Sequence, residues 1–216
     1  MQKELVDIAF NNSIRQIKKV SYHKTIDVVF GVYQGGSYDG WLTINLKPTS
    51  SLIDKLINAV AFGTQTGEGR VHAGYYKEIV HYWAEFWGAI TNDKDLVAAS
   101  CKGILIAGRS KGAAEALLIA VRMWSPMYDK KIIVGAIEPP LVCDKEYARF
   151  AEQVLGKENI QWTCYKNDIV PGVPPWFTFP GVKHQIGKRG LGLSIKDHET
   201  STTKEEVIYK GLGYVE

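Results

Sequence analysis

The sequence predicts an α/β protein, with a mostly parallel central sheet flanked by helices on both faces. Three observations carry that prediction. From about residue 70 to 165, short apolar runs alternate with longer segments of helical periodicity. Two of the runs, Gly103–Ala107 and Ile132–Ile137, are apolar almost throughout, as central parallel strands buried on both faces must be. A glycine-flanked turn, Gly108–Gly112, then joins the first run to an alanine-rich segment.

Taken in order, residues 3–18 place Leu5, Ile8, Ala9, Ile14 and Ile17 at helical spacing and are expected to form an amphipathic helix. Thr25–Tyr33 is rich in β-branched and aromatic residues and runs into Gly35-Gly36, the pattern of a strand entering a tight loop. Trp41–Leu46 is a second short strand, closed by Pro48. Thr49-Ser50-Ser51 can cap a helix over 51–62, whose Leu52, Ile53, Leu56, Ile57, Val60 and Ala61 share one stripe. A glycine-rich stretch, Gly63–Gly69, precedes an aromatic-rich helix over 73–90. Strand Gly103–Ala107 leads to helix Ala113–Met123, and strand Ile132–Ile137 to a helix from Asp144 to Leu155. Strand Gln161–Tyr165 follows, then Asn167-Asp168 and the proline-rich Pro171–Pro180. The tail holds Asp197-His198 in a polar loop and a short helix near 202–210. No internal repeat, low-complexity tract or linker interrupts the chain, so one domain over residues 1–216 is expected.

Composition narrows the function. Hydrophobic residues make up 45% and charged residues 23%, ordinary for a globular protein. The net charge of +3, from 26 basic and 23 acidic residues, is too balanced for a nucleic-acid footprint, and the basic residues are scattered. No stretch approaches the roughly 18 apolar residues of a membrane span. Asp7, Asn11 and Asn12 break the apolar run that a secretory signal needs. The expectation is a soluble protein, cytoplasmic as written. Cys101, Cys143 and Cys164 have neither zinc-ligand nor CxxC spacing, so they are expected to be free thiols. No metal or organic cofactor is implied.

Gly108-Arg109-Ser110-Lys111-Gly112 fits G-x-S-x-G. In a sharp strand-to-helix turn the residues two places either side of the serine must be small, or strand and helix collide. The turn lifts the serine hydroxyl into the open and sets it at a helix N-terminus, where N–H groups favour developing negative charge. The competing interpretation is a serine that merely caps the helix.

A serine hydroxyl needs a base to take its proton, and the base needs a carboxylate to orient it. His184 and His198 are the histidines that follow Ser110. Asp168 begins a loop after a strand, where an orienting carboxylate emerges, and His198 lies downstream. The order Ser110, Asp168, His198 is therefore available. His184 is a rival base. Asp197 is a weaker rival carboxylate, because its side chain diverges from the adjacent imidazole.

Several segments together resemble the class 3 lipases, the fungal triacylglycerol lipase family of the α/β-hydrolases. Tyr33-Gln34-Gly35-Gly36-Ser37 followed by Trp41-Leu42 resembles the strand end that supplies an oxyanion donor. Val71-His72-Ala73-Gly74-Tyr75 resembles V-H-x-G-F, and Gly108–Gly112 with Ala113-Ala114 resembles G-H-S-L-G-G-A. Asn167-Asp168-Ile169-Val170-Pro171 with Pro174-Pro175 resembles D-x-V-P-x-x-P-P, and Asp197-His198 resembles the family's late D-H. The resemblance covers roughly residues 25–200. It implies Ser110 as nucleophile, His198 as base and Asp168 as its orienter. It implies an oxyanion hole made by the backbone N–H groups of Gly36 and Lys111, with Ser37 as alternative to Gly36. It makes His72 structural.

The resemblance implies a lipase or esterase acting on acylglycerol-type esters, with a lipid or ester as partner, at a lipid–water interface or in solution. Residues 49–69 occupy the family's lid position; an ordinary packed helix is the alternative there. Trp176, Phe177 and Phe179 are candidates for an acyl pocket or for core packing. Arg109, Lys111, Gln34, Gly36 and Ala113 depart from the family pattern, and Lys111 is expected to seek Glu115 four residues on. Those departures keep other functions open: phospholipase A1, thioesterase, acyltransferase, or an inactive hydrolase fold used for binding.

Overall fold

The computed structural model describes residues 2–22, 26–48, 62–127 and 129–214. The chain opens with helix α1 (Lys3–Phe10), strands β1 (Ile14–Tyr22) and β2 (Ile26–Tyr33), a 3₁₀ turn at Gly36–Tyr38, and β3 (Leu42–Pro48). A hairpin, β4 (Gly63–Thr66) and β5 (Gly69–His72), leads into α2 (Ala73–Thr91) and α3 (Lys94–Ser100). Then come β6 (Ile104–Arg109), α4 (Lys111–Trp124), β7 (Ile132–Ile137), α5 (Lys145–Leu155), β8 (Ile160–Tyr165), β9 (Val182–Ile186), α6 (Ile195–Thr203) and α7 (Glu205–Gly211).

Seven of these strands form one sheet in the order β1-β2-β3-β6-β7-β8-β9. From β3 through β9 the neighbours are parallel, while β2 runs antiparallel to both β1 and β3. The fold is that of an α/β-hydrolase-like protein, as the sequence predicts.

The apolar strands are explained by the two cores they feed. In β6, Ile104 and Ile106 point to one face, and Leu105 and Ala107 to the other. Ile132, Val134 and Ala136 of β7 alternate with Ile133 and Ile137 in the same way. The first core lies under α2, α3, α4 and α5. Its aromatic spine includes Tyr22 stacked on Tyr82 at 4.5 Å and Phe30 against Phe86 at 5.3 Å. Each such pair contributes about 0.5–1.5 kcal/mol beyond its buried area. The second core is closed by Leu5, Val6 and Ile8 of α1 and Ile208 of α7. Asp7, buried among them, accepts hydrogen bonds from the Tyr33 hydroxyl at 2.8 Å and from the Tyr209 hydroxyl.

Two expectations need correction. The helix expected over 3–18 ends at Asn11, which adopts the left-handed conformation (φ 67°) of a helix C-cap. Residues 14–22 form edge strand β1 instead. A bulge between Gln16 and Lys18 there leaves Ile14, Ile17 and Val20 partly buried three residues apart, which mimics a helical period. His198 does not lie in a loop but in the second turn of α6. Strand β9 and helix α3 were not anticipated.

Of the lid-position segment, residues 49–61 lie outside the described residues, and the glycine-rich remainder forms the β4–β5 hairpin. Phe179 packs against Trp162 in the core, whereas Trp176 is exposed. Among the described residues no helix is long and apolar enough to cross a membrane.

Candidate active site

Ser110 links β6 to α4 with φ 52° and ψ −126°, a combination that L-residues avoid. The surrounding packing holds it there. Its N–H donates to the Ile137 carbonyl at 2.8 Å, and its own carbonyl accepts from Ala113 at 2.9 Å. The flanking glycines are dictated by space. A Cβ on Gly108 would lie 2.4 Å from the Gly112 carbonyl oxygen, and one on Gly112 would lie 2.4 Å from the Leu46 carbonyl oxygen. The motif's steric logic is therefore met on both sides.

Asp168 follows β8 in a tight turn closed by its N–H to the Tyr165 carbonyl at 2.9 Å. Its Oδ1 accepts from the Val170 N–H at 2.8 Å. Helix α6 is pinned to the same loop, because Ser194 donates its N–H to the Asn167 carbonyl at 2.8 Å while its hydroxyl caps the Asp197 N–H at 3.0 Å. That anchoring brings His198 over both groups. His198 Nδ1 lies 2.7 Å from Asp168 Oδ2, and His198 Nε2 lies 2.8 Å from Ser110 Oγ. All three residues are buried: Ser110 is 2% exposed, Asp168 1% and His198 3%.

The rivals are not at this junction. His184 sits in β9 opposite Thr163. Asp197 turns to the Asn167 N–H at 3.3 Å. His72 caps α2 through its Nδ1, which accepts from the Tyr75 N–H at 3.4 Å, and stacks on the Tyr75 ring.

Burial pushes His198 down to about 4, with Glu138 and Glu199 opposing the shift. Its imidazole is therefore neutral at neutral pH. With a carboxylate facing Nδ1, the proton resides on that nitrogen and Nε2 presents its lone pair to the serine hydroxyl. Burial also lifts Asp168 out of the ordinary carboxylate range, and hydrogen bonds from Glu138 and the Val170 N–H pull it back.

Lys111 opens α4, so its N–H has no partner within the helix and stands beside the serine. Its side chain runs to Glu115 Oε1 at 3.3 Å, the expected partner, and to Glu78 of α2, which was not foreseen. The Tyr82 hydroxyl donates to the other Glu115 oxygen at 3.0 Å. Arg109 also has a visible task. Its guanidinium stacks over Phe10 at 4.9 Å and donates to the Thr202 carbonyl in the last turn of α6, the helix that carries His198.

The assignment of Gly36 as an oxyanion donor is overturned, together with its alternative Ser37. Strand β2 runs antiparallel to β3, with Val32 opposite Leu42, and Leu42 pairs with Ile104 at the start of β6. Gly36 therefore lies beyond the opposite edge of the sheet. At about 3.3 Å per residue, the six residues of β6 alone put roughly 20 Å between that edge and Ser110. The neighbour that a Gly36 side chain would meet is Glu4 of α1. The strand whose C-terminal end does reach Ser110 is β3, with Leu46 paired to Gly108. Its continuation past Pro48 lies outside the described residues.

Glu138 also escaped sequence reasoning. It follows the last residue of β7 with φ 50°, is fully buried, and its carboxyl oxygens accept from the Thr163 hydroxyl and the Tyr165 N–H at 2.9 Å each. The available signal was a carboxylate between a wholly apolar strand and Pro139-Pro140, at the same end of the sheet as Ser110.

Comparison with known proteins places this geometry. The chain is 25% identical over 170 residues to the lipases of Rhizopus niveus and Rhizopus oryzae. That alignment takes in 74% of this chain and 41% of each relative, so the chain spans about two fifths of their length. Its fold matches the crystal structure of a lipase from Rhizopus microsporus var. chinensis (TM-score 0.71, 19% identity, 88% of this chain and 70% of that one). It also matches a triacylglycerol lipase whose catalytic centre is described as a serine protease triad (TM-score 0.70, 17% identity, 88% and 77%). The family model "Lipase (class 3)" matches residues 41–178, starting after the Gly35-Gly36 segment and taking in Ser110 and Asp168. With that match covering more than half of its residues, the chain belongs to the class 3 lipase family.

Proposed function

We propose that this chain hydrolyses carboxylic esters of lipids, of the acylglycerol type, through an acyl-enzyme on Ser110. The observation that carries the proposal is the unbroken line from Ser110 Oγ through both nitrogens of His198 to Asp168 Oδ2, with contacts of 2.8 and 2.7 Å. Membership in a lipase family and the described triad of a structural relative support it.

The chemistry follows from the geometry. Neutral His198 takes the proton of Ser110 Oγ through Nε2 as the oxygen attacks the acyl carbon. Asp168 keeps Nδ1 protonated and stabilises the imidazolium that forms. The Lys111 N–H donates to the developing oxyanion, a contribution worth about 2.7–4 kcal/mol for one such donor. His198 returns the proton to the departing alcohol, then activates water to release the acid.

The test is hydrolysis by the purified protein of tributyrin, a long-chain triglyceride, a phospholipid and an acyl thioester, each with Ser110→Ala alongside. The proposal expects acylglycerol cleavage that Ser110→Ala abolishes. Preference for the phospholipid or the thioester would replace it with a different acyl transfer, and inactivity on all four would reject it.

A further inference from the structure

Helix α6 carries the base, yet little in its own sequence holds it together. Its nine residues, IKDHETSTT, fall short of the roughly 12–15 that an isolated helix needs. The last four are Thr200, Ser201, Thr202 and Thr203, which have weak helix propensity. The Thr202 and Ser201 hydroxyls turn back to the His198 carbonyl, at 2.7 and 3.2 Å, and compete with the helix's own bonding. The last turn holds no basic residue to balance the negative end of the helix dipole. The helix must therefore be held from outside.

At its start, the hold is the Ser194 N–H on the Asn167 carbonyl at 2.8 Å. At its end, the hold is Arg109, the last residue of β6 and the immediate neighbour of Ser110. Arg109 Nη1 donates to the Thr202 carbonyl, and the guanidinium lies over Phe10 of α1, 4.9 Å from the ring centroid. Stacking on that ring restrains the guanidinium and aims its donor. Thr202 stands one turn, about 5.4 Å, beyond His198. Two adjacent residues of the elbow thus grip α6 one turn apart. Ser110 Oγ meets His198 Nε2 at 2.8 Å, and Arg109 meets the Thr202 carbonyl.

His198 lies midway between the two outer holds, four residues from Ser194 and four from Thr202. We propose that Arg109 is a positioning residue, which caps the C-terminal end of α6 and so sets the distance between His198 Nε2 and Ser110 Oγ. Its cation also supplies the charge that the last turn lacks. Without it α6 is free to pivot about Ser194, and a base displaced by about 1 Å loses about 10²-fold in rate. The kinetic consequence rests on the proposed acyl-enzyme chemistry; the placement of His198 does not.

The experiment separates placement from stability. Arg109→Met keeps the contact with Phe10 and removes both donor and charge. Fluorophosphonate labelling of Ser110 should slow by about tenfold or more, and kcat for p-nitrophenyl butyrate should fall as much, with KM within about twofold. Arg109→Lys, which keeps a cation and a donor, should restore labelling to within about threefold of wild type. The downfield proton NMR signal of His198 Nδ1–H should shift or broaden in Arg109→Met and return in Arg109→Lys. Tyr33→Phe is the stability control. It removes the 2.8 Å hydrogen bond to Asp7 at the end of the sheet opposite Ser110, so it should lower the urea midpoint and leave the labelling rate unchanged.

A folded Arg109→Met that is labelled at the wild-type rate overturns the proposal, as does a Tyr33→Phe slowed to the same extent. If Arg109→Met does not fold, Arg109→Gln, whose amide has a shorter reach to the Thr202 carbonyl, is read in its place by the same rates. A wild type that is labelled yet cleaves no acylglycerol rejects the ester hydrolase function, and the labelling rates still decide the role of Arg109. In a wild type that is not labelled the Nδ1–H signal decides it, and a signal unchanged in Arg109→Met overturns the proposal.

Discussion

Gly112→Ala is a substitution of one methyl group whose effect can be worked out from the elbow. The new Cβ would stand 2.4 Å from the Leu46 carbonyl oxygen and 2.9 Å from its carbon, where ordinary contacts begin at 3.4 Å. The first turn of α4 and the end of β3 must therefore separate by about 1 Å. Overpacking of this kind costs about 1–3 kcal/mol. The same movement carries Ser110 and the Lys111 N–H away from His198, and a displacement of that size lowers rates by about 10²-fold. Urea unfolding should show a lower midpoint at unchanged slope, and kcat/KM on p-nitrophenyl butyrate should fall by about two orders of magnitude. Gly36→Ala is the matched control. Its Cβ would meet Glu4 Oε1 at a comfortable 3.7 Å, although φ +63° imposes about 1 kcal/mol of strain. Its stability should drop slightly while kcat/KM stays at the wild-type value. Wild-type behaviour of Gly112→Ala, or a large kinetic loss in Gly36→Ala, would refute the placement of the elbow against β3.

Three further outcomes follow from the site. Asp168→Asn should keep the fold but reverse the favoured imidazole tautomer, lowering kcat by about 10⁴-fold, as steady-state kinetics would show. Because burial holds His198 down at about 4, the base form persists well below the usual imidazole range. Burial lifts Asp168 to about 7, so activity should begin to fall as that carboxyl is protonated while His198 is still neutral. An NMR titration of the His198 ring should find its midpoint near 4; a midpoint near 6.5 would count against the buried imidazole. Arg109→Met should retain the contact with Phe10 but lose the hydrogen bond to the Thr202 carbonyl, destabilising the protein by about 1.5–3 kcal/mol. Calorimetry should register the loss, and kcat should fall because α6 carries His198.

What the sequence revealed and what it hid have physical causes. Strands β6 and β7 were legible because burial on both faces makes their runs apolar, and the elbow because its glycines answer a steric demand within five residues. Ser110 and Asp168 were legible for the same local reason, each standing just past the end of a readable strand, and His198 was reached through its order in the chain. Register and direction were not. Gly35-Gly36-Ser37 follows a β-rich run just as an oxyanion loop does, yet β2 runs antiparallel to β3, and that reversal appears only in the pairing of strands. Helix α6 is composed largely of Ser, Thr and charged residues with weak helix propensity, so it read as a loop although Ser194 caps it. Glu138 was invisible because its partners Thr163 and Tyr165 lie on the neighbouring strand, more than twenty residues away, and no spacing rule joins them.

The central claim is that Ser110 is a nucleophile activated by His198, and its reaction with an organophosphonate tests that claim most directly. Intact-mass spectrometry after incubation with a fluorophosphonate should show one adduct per chain, mapped to the peptide containing Ser110. Ser110→Ala should show none, and His198→Ala should be labelled at least a hundredfold more slowly. A wild-type chain that stays unlabelled, or an adduct that persists in Ser110→Ala, would contradict the account.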